Sequence, residues 1–162
     1  MKSMYRICLC LVAVLLLSLS CESEVREINI NQNKYIDDYV TAHYSDKEIV
    51  RYEGVVRVVL ADNLITQTVI EPGDSAFLYL IGYIFDKNGP ESRFTVDSSM
   101  VRVGKGDLIT GLDRGLIGAR LGQESLIFFP AHLGYGKKAL GLVPENSALM
   151  FNLLVSEIKK NN

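Results

Sequence analysis

The sequence predicts an α+β fold: an antiparallel half-barrel β-sheet wrapped around one short helix, preceded by an N-terminal amphipathic helix. Three observations carry this prediction. Apolar runs rich in β-branched and aromatic residues, above all 75–85 and 149–158, are separated by turn residues such as Glu71-Pro72-Gly73-Asp74. One later stretch has helical spacing, with Leu108, Ile109, Leu112 and Leu116 on one side, and it is short. No internal repeat is visible, so the pieces belong to one sheet with a helix packed on it.

The 162 residues are enough for one domain with a proper core. The first twenty are read apart from that core. Lys2 and Arg6 precede an uncharged run from Ile7 to Leu19, and Ser20-Cys21 follows. This is the layout of a secretory signal peptide, too short for a spanning helix of about 20 residues. Cys21 after small and apolar residues resembles a bacterial lipoprotein cleavage site, although Ser18 stands where leucine is usual. Residues 1–20 are therefore expected to be a lipoprotein signal peptide and Cys21 the lipidated residue. The alternative is an uncleaved anchor with a leftover thiol. On the first view the protein is lipid-anchored in the cell envelope, at the outer membrane on its periplasmic or surface side.

Composition narrows the function classes. The three cysteines are Cys8, Cys10 and Cys21, so after cleavage and lipidation no thiol remains for a disulfide or a cysteine metal site. Of the 17 bases, the leader removes two, leaving 15 against 19 acids, a net charge of −4. That balance argues against nucleic acid, which needs basic patches. Glu22 and Glu24 form either a sorting address or a solvated tether.

The elements follow in order. Residues 21–32 are polar and predict a linker. Residues 33–70 predict an N-terminal extension. Within it, Ile36, Tyr39, Val40 and Tyr44 give a short amphipathic helix, acting as a brace or as a docking element. Valines in 53–60 predict a strand, Ala61-Asp62-Asn63 a turn, and 64–70 a second strand. The main domain is expected over 71–162. The apolar run 75–85 suits a central strand covered on both faces. Asp86 to Pro90 closes it as a hairpin loop. Residues 93–96 return, Asp97 caps a turn, and 101–103 form a brief strand. Asp107 stands where a helix N-cap belongs. The last strands are 124–130 and 149–158.

Five pieces in order carry a resemblance. Leu80-Ile81-Gly82-Tyr83 is similar to a strand reading Tyr-Thr-Gly-Tyr, and Val96-Asp97-Ser98-Ser99 to Phe-Asp-Ser-Ser. The segment 103–112 resembles one that runs through Val-Ile-x-Gly-Trp. Gly134-Tyr135-Gly136 resembles a Tyr-Gly loop, and 142–151 resembles Ile-Ile-Pro-Pro-Asn-Ala-x-Leu-x-Phe. Together, over about Pro72 to Lys159, they resemble the FKBP-type peptidyl-prolyl cis-trans isomerase family. With the leader, the layout also resembles gliding-motility-associated lipoproteins that carry FKBP-like domains.

The resemblance implies a site and its chemistry. Rotating an X-Pro bond means crossing a barrier of about 18–20 kcal/mol, and it requires no nucleophile, metal or cofactor. A dry apolar cup and a fixed carbonyl favour the twisted state. By resemblance, the Ile109 N–H donates to one substrate carbonyl, the Tyr135 hydroxyl donates to another, and Asp97 lines a wall. Leu80, Val96, Val101, Leu108, Leu112, Val143 and Phe151 form the cup. Taken singly, most of these apolar residues fit an ordinary core equally well. His132 lacks a paired nucleophile and falls on a loop expected to be exposed.

The departures from the family pattern concern flat walls. There is no tryptophan, Leu112 stands at the floor, Val96 replaces phenylalanine, and Leu80 replaces tyrosine. Aliphatic walls lack the flat faces that grip a pyrrolidine ring. The resemblance thus implies an isomerase of weakened activity on proline-containing envelope or secreted polypeptides. The competing functions are a non-catalytic chaperone or protein-binding module in an envelope assembly, and a carrier of a small apolar ligand.

Overall fold

In the computed structural model the backbone is described for residues 2–62 and 66–161, and side chains from residue 23 onward. The side chain of Cys21 and the leader's apolar run therefore lie outside the described side chains. The elements are helix α1 (Lys2–His43), strands β1 (Glu48–Tyr52), β2 (Val55–Ala61), β3 (Ser75–Asp86) and β4 (Gly89–Arg102), helix α2 (Thr110–Leu116), strand β5 (Glu124–Phe129), a 3-10 turn (Ala131–Leu133) and strand β6 (Ala148–Lys159). The six strands form one antiparallel sheet in the order β1-β2-β5-β6-β3-β4. β1 and β2, which precede residue 71, join it through β5.

Alternation builds two cores, because successive side chains of a strand point to opposite faces. On one face Ala76, Leu78 and Leu80 of β3, Ile127 and Phe129 of β5, and Leu149, Phe151, Leu153 and Val155 of β6 bury against Leu112 and Leu116 of α2. On the other, Val56, Val58, Phe85, Leu126, Phe128, Ala148 and Met150 bury against Ile36 and Val40 of α1. Tyr39 meets Phe85 edge-on at 5.1 Å between ring centroids. The sheet thus has a helix on each face, and α1 braces the outer one.

Four expectations are corrected. The polar stretch 21–32 is not a linker: α1 runs through it. Residues 2–43 contain no glycine or proline to break a helix. Half-buried Ile28 and buried Gln32, Ile36 and Val40 form a stripe at every fourth position, which the polar flanks conceal. The described part of the expected strand 64–70 is an irregular segment with one bridge, Val69 to Arg120, while residues 63–65 lie outside the description. The returning pieces 93–96 and 101–103 are one 14-residue strand, so Asp97-Ser98-Ser99 is strand and not turn. Asp107 does not cap α2. Ile109 holds that position, and Asp107 pairs with Arg102 at 3.2 Å. The Arg102 hydrogen bonds hold the Asp107 carboxyl below its ordinary range.

The chain's end is tied by Asp74, whose side chain is nearly fully buried. It accepts hydrogen bonds from Lys160 Nζ (2.7 Å), the Glu71 N–H (2.8 Å) and the Asn161 N–H (3.1 Å). Burial pushes its carboxyl pKa up, but these donors outweigh that and leave it lowered. A depressed carboxylate contributes stability above its unfolded pKa of about 3.9, and that stability is lost as pH falls through the folded value. Asp74→Asn is therefore expected to melt a few degrees below wild type at pH 7. Calorimetry should show the gap closing below about pH 3.9. A gap that persists in acid would remove the carboxylate's charge from the explanation.

Candidate functional site

The inner face of the sheet carries the candidate site. Leu80, Val101, Leu112, Val143 and Phe151 are buried in the inner core, and half-buried Leu108, Ile109 and Tyr135 pack against it. Eight of the ten residues expected at the cup are thus brought to one side of the sheet.

α2 sits there because it is held at both ends. Ahead of it, Asp113 accepts the Gly104 N–H at 2.9 Å, which fixes the turn after β4. Behind it, buried Arg57 of β2 donates to the carbonyls of Gly115 (2.7 Å) and Ile117 (2.9 Å). These are the carbonyls a helix leaves unpaired at its C-terminus. Burial lowers the Arg57 pKa, with Glu48 opposing. The other end of α2 has no side-chain cap. The Leu112 N–H already donates to the Ile109 carbonyl at 3.0 Å, while the N–H groups before it have no intrahelical acceptor and can meet a bound carbonyl.

Tyr135 follows the 3-10 turn. Burial raises its pKa, so the phenol stays protonated and able to donate at neutral pH. Its ring meets Phe94 edge-on at 6.4 Å. Phe94 meets Phe151 edge-on at 5.6 Å, and Phe151 stacks on Phe129 at 5.8 Å. Tyr135, Phe94 and Phe151 therefore form an aromatic wall on one side of the site, with fully buried Phe129 behind it.

Phe94 is the residue the sequence expectation missed, and Val96 is the one it misplaced. Along β3 and β4, Gly82 pairs with Thr95 but Tyr83 pairs with Arg93, so Phe94 is the extra residue of a bulge. A bulge re-aims a side chain. It turns the Phe94 ring over Gly82, where a Cβ would stand 2.7 Å from both Phe94 and Phe151. Only glycine fits beneath the two rings. Val96 pairs with Ile81 instead and faces outward, 64% exposed, beside Tyr79, Asn152 and Leu154. It is not a wall of the cup. The signal that could have found Phe94 is that it is the only aromatic between Gly89 and Val103.

Asp97 pairs with Leu80, and directly opposed residues share a face. It therefore lies on the inner side, exposed on the sheet's edge strand. Its carboxylate accepts the Ser98 N–H at 2.8 Å and the Ser99 hydroxyl at 3.3 Å. His132 is exposed, and burial with the nearby Arg114 charge lowers its pKa. Among the described residues, no group of three or more His, Cys, Asp or Glu is placed to hold a metal ion.

Known proteins are similar to this chain in sequence and in fold. The family profile described as FKBP-type peptidyl-prolyl cis-trans isomerase matches residues 67–155. "FK506-binding protein 4" of Chaetomium thermophilum is 39% identical over 112 residues, covering 65% of this chain and 22% of that protein. "Peptidyl-prolyl cis-trans isomerase FKBP9" of Mus musculus is 34% identical over 91 residues, covering 55% and 16%. The chain thus spans less than a quarter of the length of these curated relatives. The three FKBP domains of wheat FKBP73, in a crystal structure, superpose with a TM-score of 0.61 at 18% identity, covering 71% of this chain and 50% of that one. With the profile spanning more than half of the sequence, the chain belongs to the FKBP-type peptidyl-prolyl cis-trans isomerase family.

Proposed function

We propose that the protein is a peptidyl-prolyl cis-trans isomerase for proline-containing envelope or secreted polypeptides, anchored through a lipid on Cys21. The observation that carries the isomerase is the gathering of Phe94, Tyr135 and Phe151 beside Leu112 and the uncapped start of α2. A twisting prolyl bond loses amide resonance and becomes less polar across C–N. An apolar wall favours that state over the planar one, and such differential binding lowers the barrier. The roles follow: the Ile109 N–H and the Tyr135 hydroxyl hold substrate carbonyls, Asp97 stands at the rim, and Leu80, Val101, Leu108, Leu112, Val143 and Phe151 line the cup.

Phe94 restores one of the three flat walls that the sequence lacks by family standards. Leu80 and Leu112 remain aliphatic. At about 1 kcal/mol for each lost aromatic contact, the two positions lower the rate by roughly thirtyfold. The envelope role is supported by the leader layout, with its basic start, apolar run and Cys21. The binding-module alternative would use either the same cup or helix 33–44 as its docking element, and the helix form of it is the one the packing bears on. Ile36 and Val40 are buried in the outer core, which weighs against docking through that face and leaves the cup as the binding surface in either reading.

The test is turnover of a proline peptide by the full chain. Activity is expected, and Tyr135→Phe is expected to lower kcat/KM by roughly fivefold while leaving the melting temperature unchanged. A wild-type protein that leaves the uncatalysed rate unaltered sinks the proposal.

A further inference from the structure

Gln32 belongs to α1, outside the segment that matches the family, and its side chain is 5% exposed. Besides Tyr35 on the same helix, it meets two backbone partners 99 and 114 residues away. The Ala131 N–H donates to Gln32 Oε1 at 2.8 Å, and Gln32 Nε2 donates to the Asn146 carbonyl at 2.7 Å. Two backbone bonds complete the circuit. The Gly136 N–H donates to the Ala131 carbonyl at 2.8 Å, and the Asn146 N–H donates to the Gly136 carbonyl at 2.7 Å. Four hydrogen bonds thus form a closed ring through Gln32, Ala131, Gly136 and Asn146. Each residue in it both gives and takes one bond, an arrangement in which the bonds strengthen one another.

The ring encloses the base of the segment that carries Tyr135 and Val143. Tyr135 is bonded directly to Gly136. Val143 lies three residues before Asn146, in a tight hairpin where Leu140 and Val143 exchange N–H to carbonyl bonds at 2.9 Å. Beyond the ring, Val143 anchors the segment in the inner core and Tyr135 packs against it, while Leu140 and Leu142 at its tip are exposed. Asn146 takes a left-handed backbone conformation, φ 57°. Asparagine tolerates this conformation better than most side chains, and here it turns the Asn146 N–H and carbonyl into the ring.

We infer that Gln32 is a positioning residue for the cup: it clamps both ends of segment 131–146 and so sets where Tyr135 and Val143 stand. The N-terminal helix then does more than cover apolar surface. It supplies the one side chain that closes the ring. The expected effect on turnover rests on the isomerase reading; the ring itself does not.

Two variants of the full chain test this. Gln32→Met keeps the length and apolar bulk and removes the amide. Exchange of the Ala131, Gly136 and Asn146 amide protons is expected to accelerate about tenfold, with Leu78 and Leu153 in the central strands unchanged. The Tyr135 ring resonances should shift, and kcat/KM should fall about tenfold. Gln32→Glu keeps the acceptor for Ala131 but, when ionised, has no proton for the Asn146 carbonyl. That carbonyl and burial raise the new carboxyl's pKa, with the Asp86 charge near Tyr35 acting the same way, and they outweigh the Ala131 N–H and the Tyr35 hydroxyl, which favour the ionised form. Its protonated form restores the donor, so its kcat/KM relative to wild type should recover as pH falls from 7 towards 5. A role confined to stability predicts no such recovery.

The inference is overturned if exchange in Gln32→Met is unchanged, or if it accelerates equally in β3 and β6. It is also overturned if kcat/KM is unchanged in both variants of an active protein. An inactive wild-type chain defeats the isomerase reading instead, and the positioning role is then decided by the exchange rates and the Tyr135 resonances.

Discussion

Gly111→Ala is expected to destabilise the protein by about 2 kcal/mol, although the same change on an exposed helix stabilises by up to about 1 kcal/mol. The sign reverses because α2 lies directly on β5. A Cβ at Gly111 would stand 2.3 to 2.5 Å from three ring atoms of Phe129. Phe129 is fully buried and stacked on Phe151, so its ring has nowhere to retreat. Overpacking of this kind costs about 1–3 kcal/mol, and an ångström-scale clash with a trapped ring sits at the upper end. The gain in helix propensity offsets only part of it. Urea unfolding should show a lower midpoint with an unchanged slope. Thr110→Ala, one residue earlier and exposed, should change little. The cause can be isolated with Phe129→Leu, which makes room: the double variant should lose less than the two singles added together. Strict additivity would mean that the contact is not the reason, and a Gly111→Ala protein as stable as wild type would mean that α2 stands further from the sheet. Gly115 repeats the logic on the next turn, with Ile127 at 2.5 Å. The internal glycines that make this helix look weak in sequence are what let it lie close enough to form the floor of a cup.

Much of the sheet was legible. The apolar runs 75–85 and 149–158 mark two of its strands, and the five family pieces place the helix and the Tyr135 loop in order, but which side chains go inward shows only in the folded sheet. What the sequence conceals are features decided by partners far away in the chain. Asp107 has the right residue type for a cap, but Arg102 competes for it across the turn. The stretch 23–32 looks like tether because most of its side chains face water, and only the sheet shows which side does not. β1 is five residues with no full alternation of its own, and it exists because Val56 and Arg57 offer it an edge. Gln32 is one polar residue among many until residues 131 and 146 come to meet it. The register of β4 is the costliest concealment. The motif match sets Val96 beside Asp97 and leads to the cup losing its aromatic wall, whereas a one-residue bulge hands that wall to Phe94.

That bulge makes the sharpest functional forecast. Phe94→Ala is expected to reduce kcat/KM for a proline peptide by between about tenfold and a hundredfold, while Val96→Ala stays within about twofold of wild type. The two residues are neighbours on one strand, similar in chemistry, and separated by the face they present. Phe94 touches both other rings of the wall, Tyr135 at 6.4 Å and Phe151 at 5.6 Å, so its loss removes direct contact with a bound ring and also the support for Tyr135. Val96 is open to solvent on the far side of the sheet. Phe94→Leu should fall between, at about fivefold, because it stays apolar but lacks a flat face. Stability gives the control. Phe94 is only half-buried, so its truncation should shift the melting temperature much less than truncation of fully buried Phe129. Equal losses of turnover at 94 and 96 would point to general loosening of β4. A loss at 96 alone would return the strand to the register that the motif suggests, and with it the prediction of a cup without that aromatic wall.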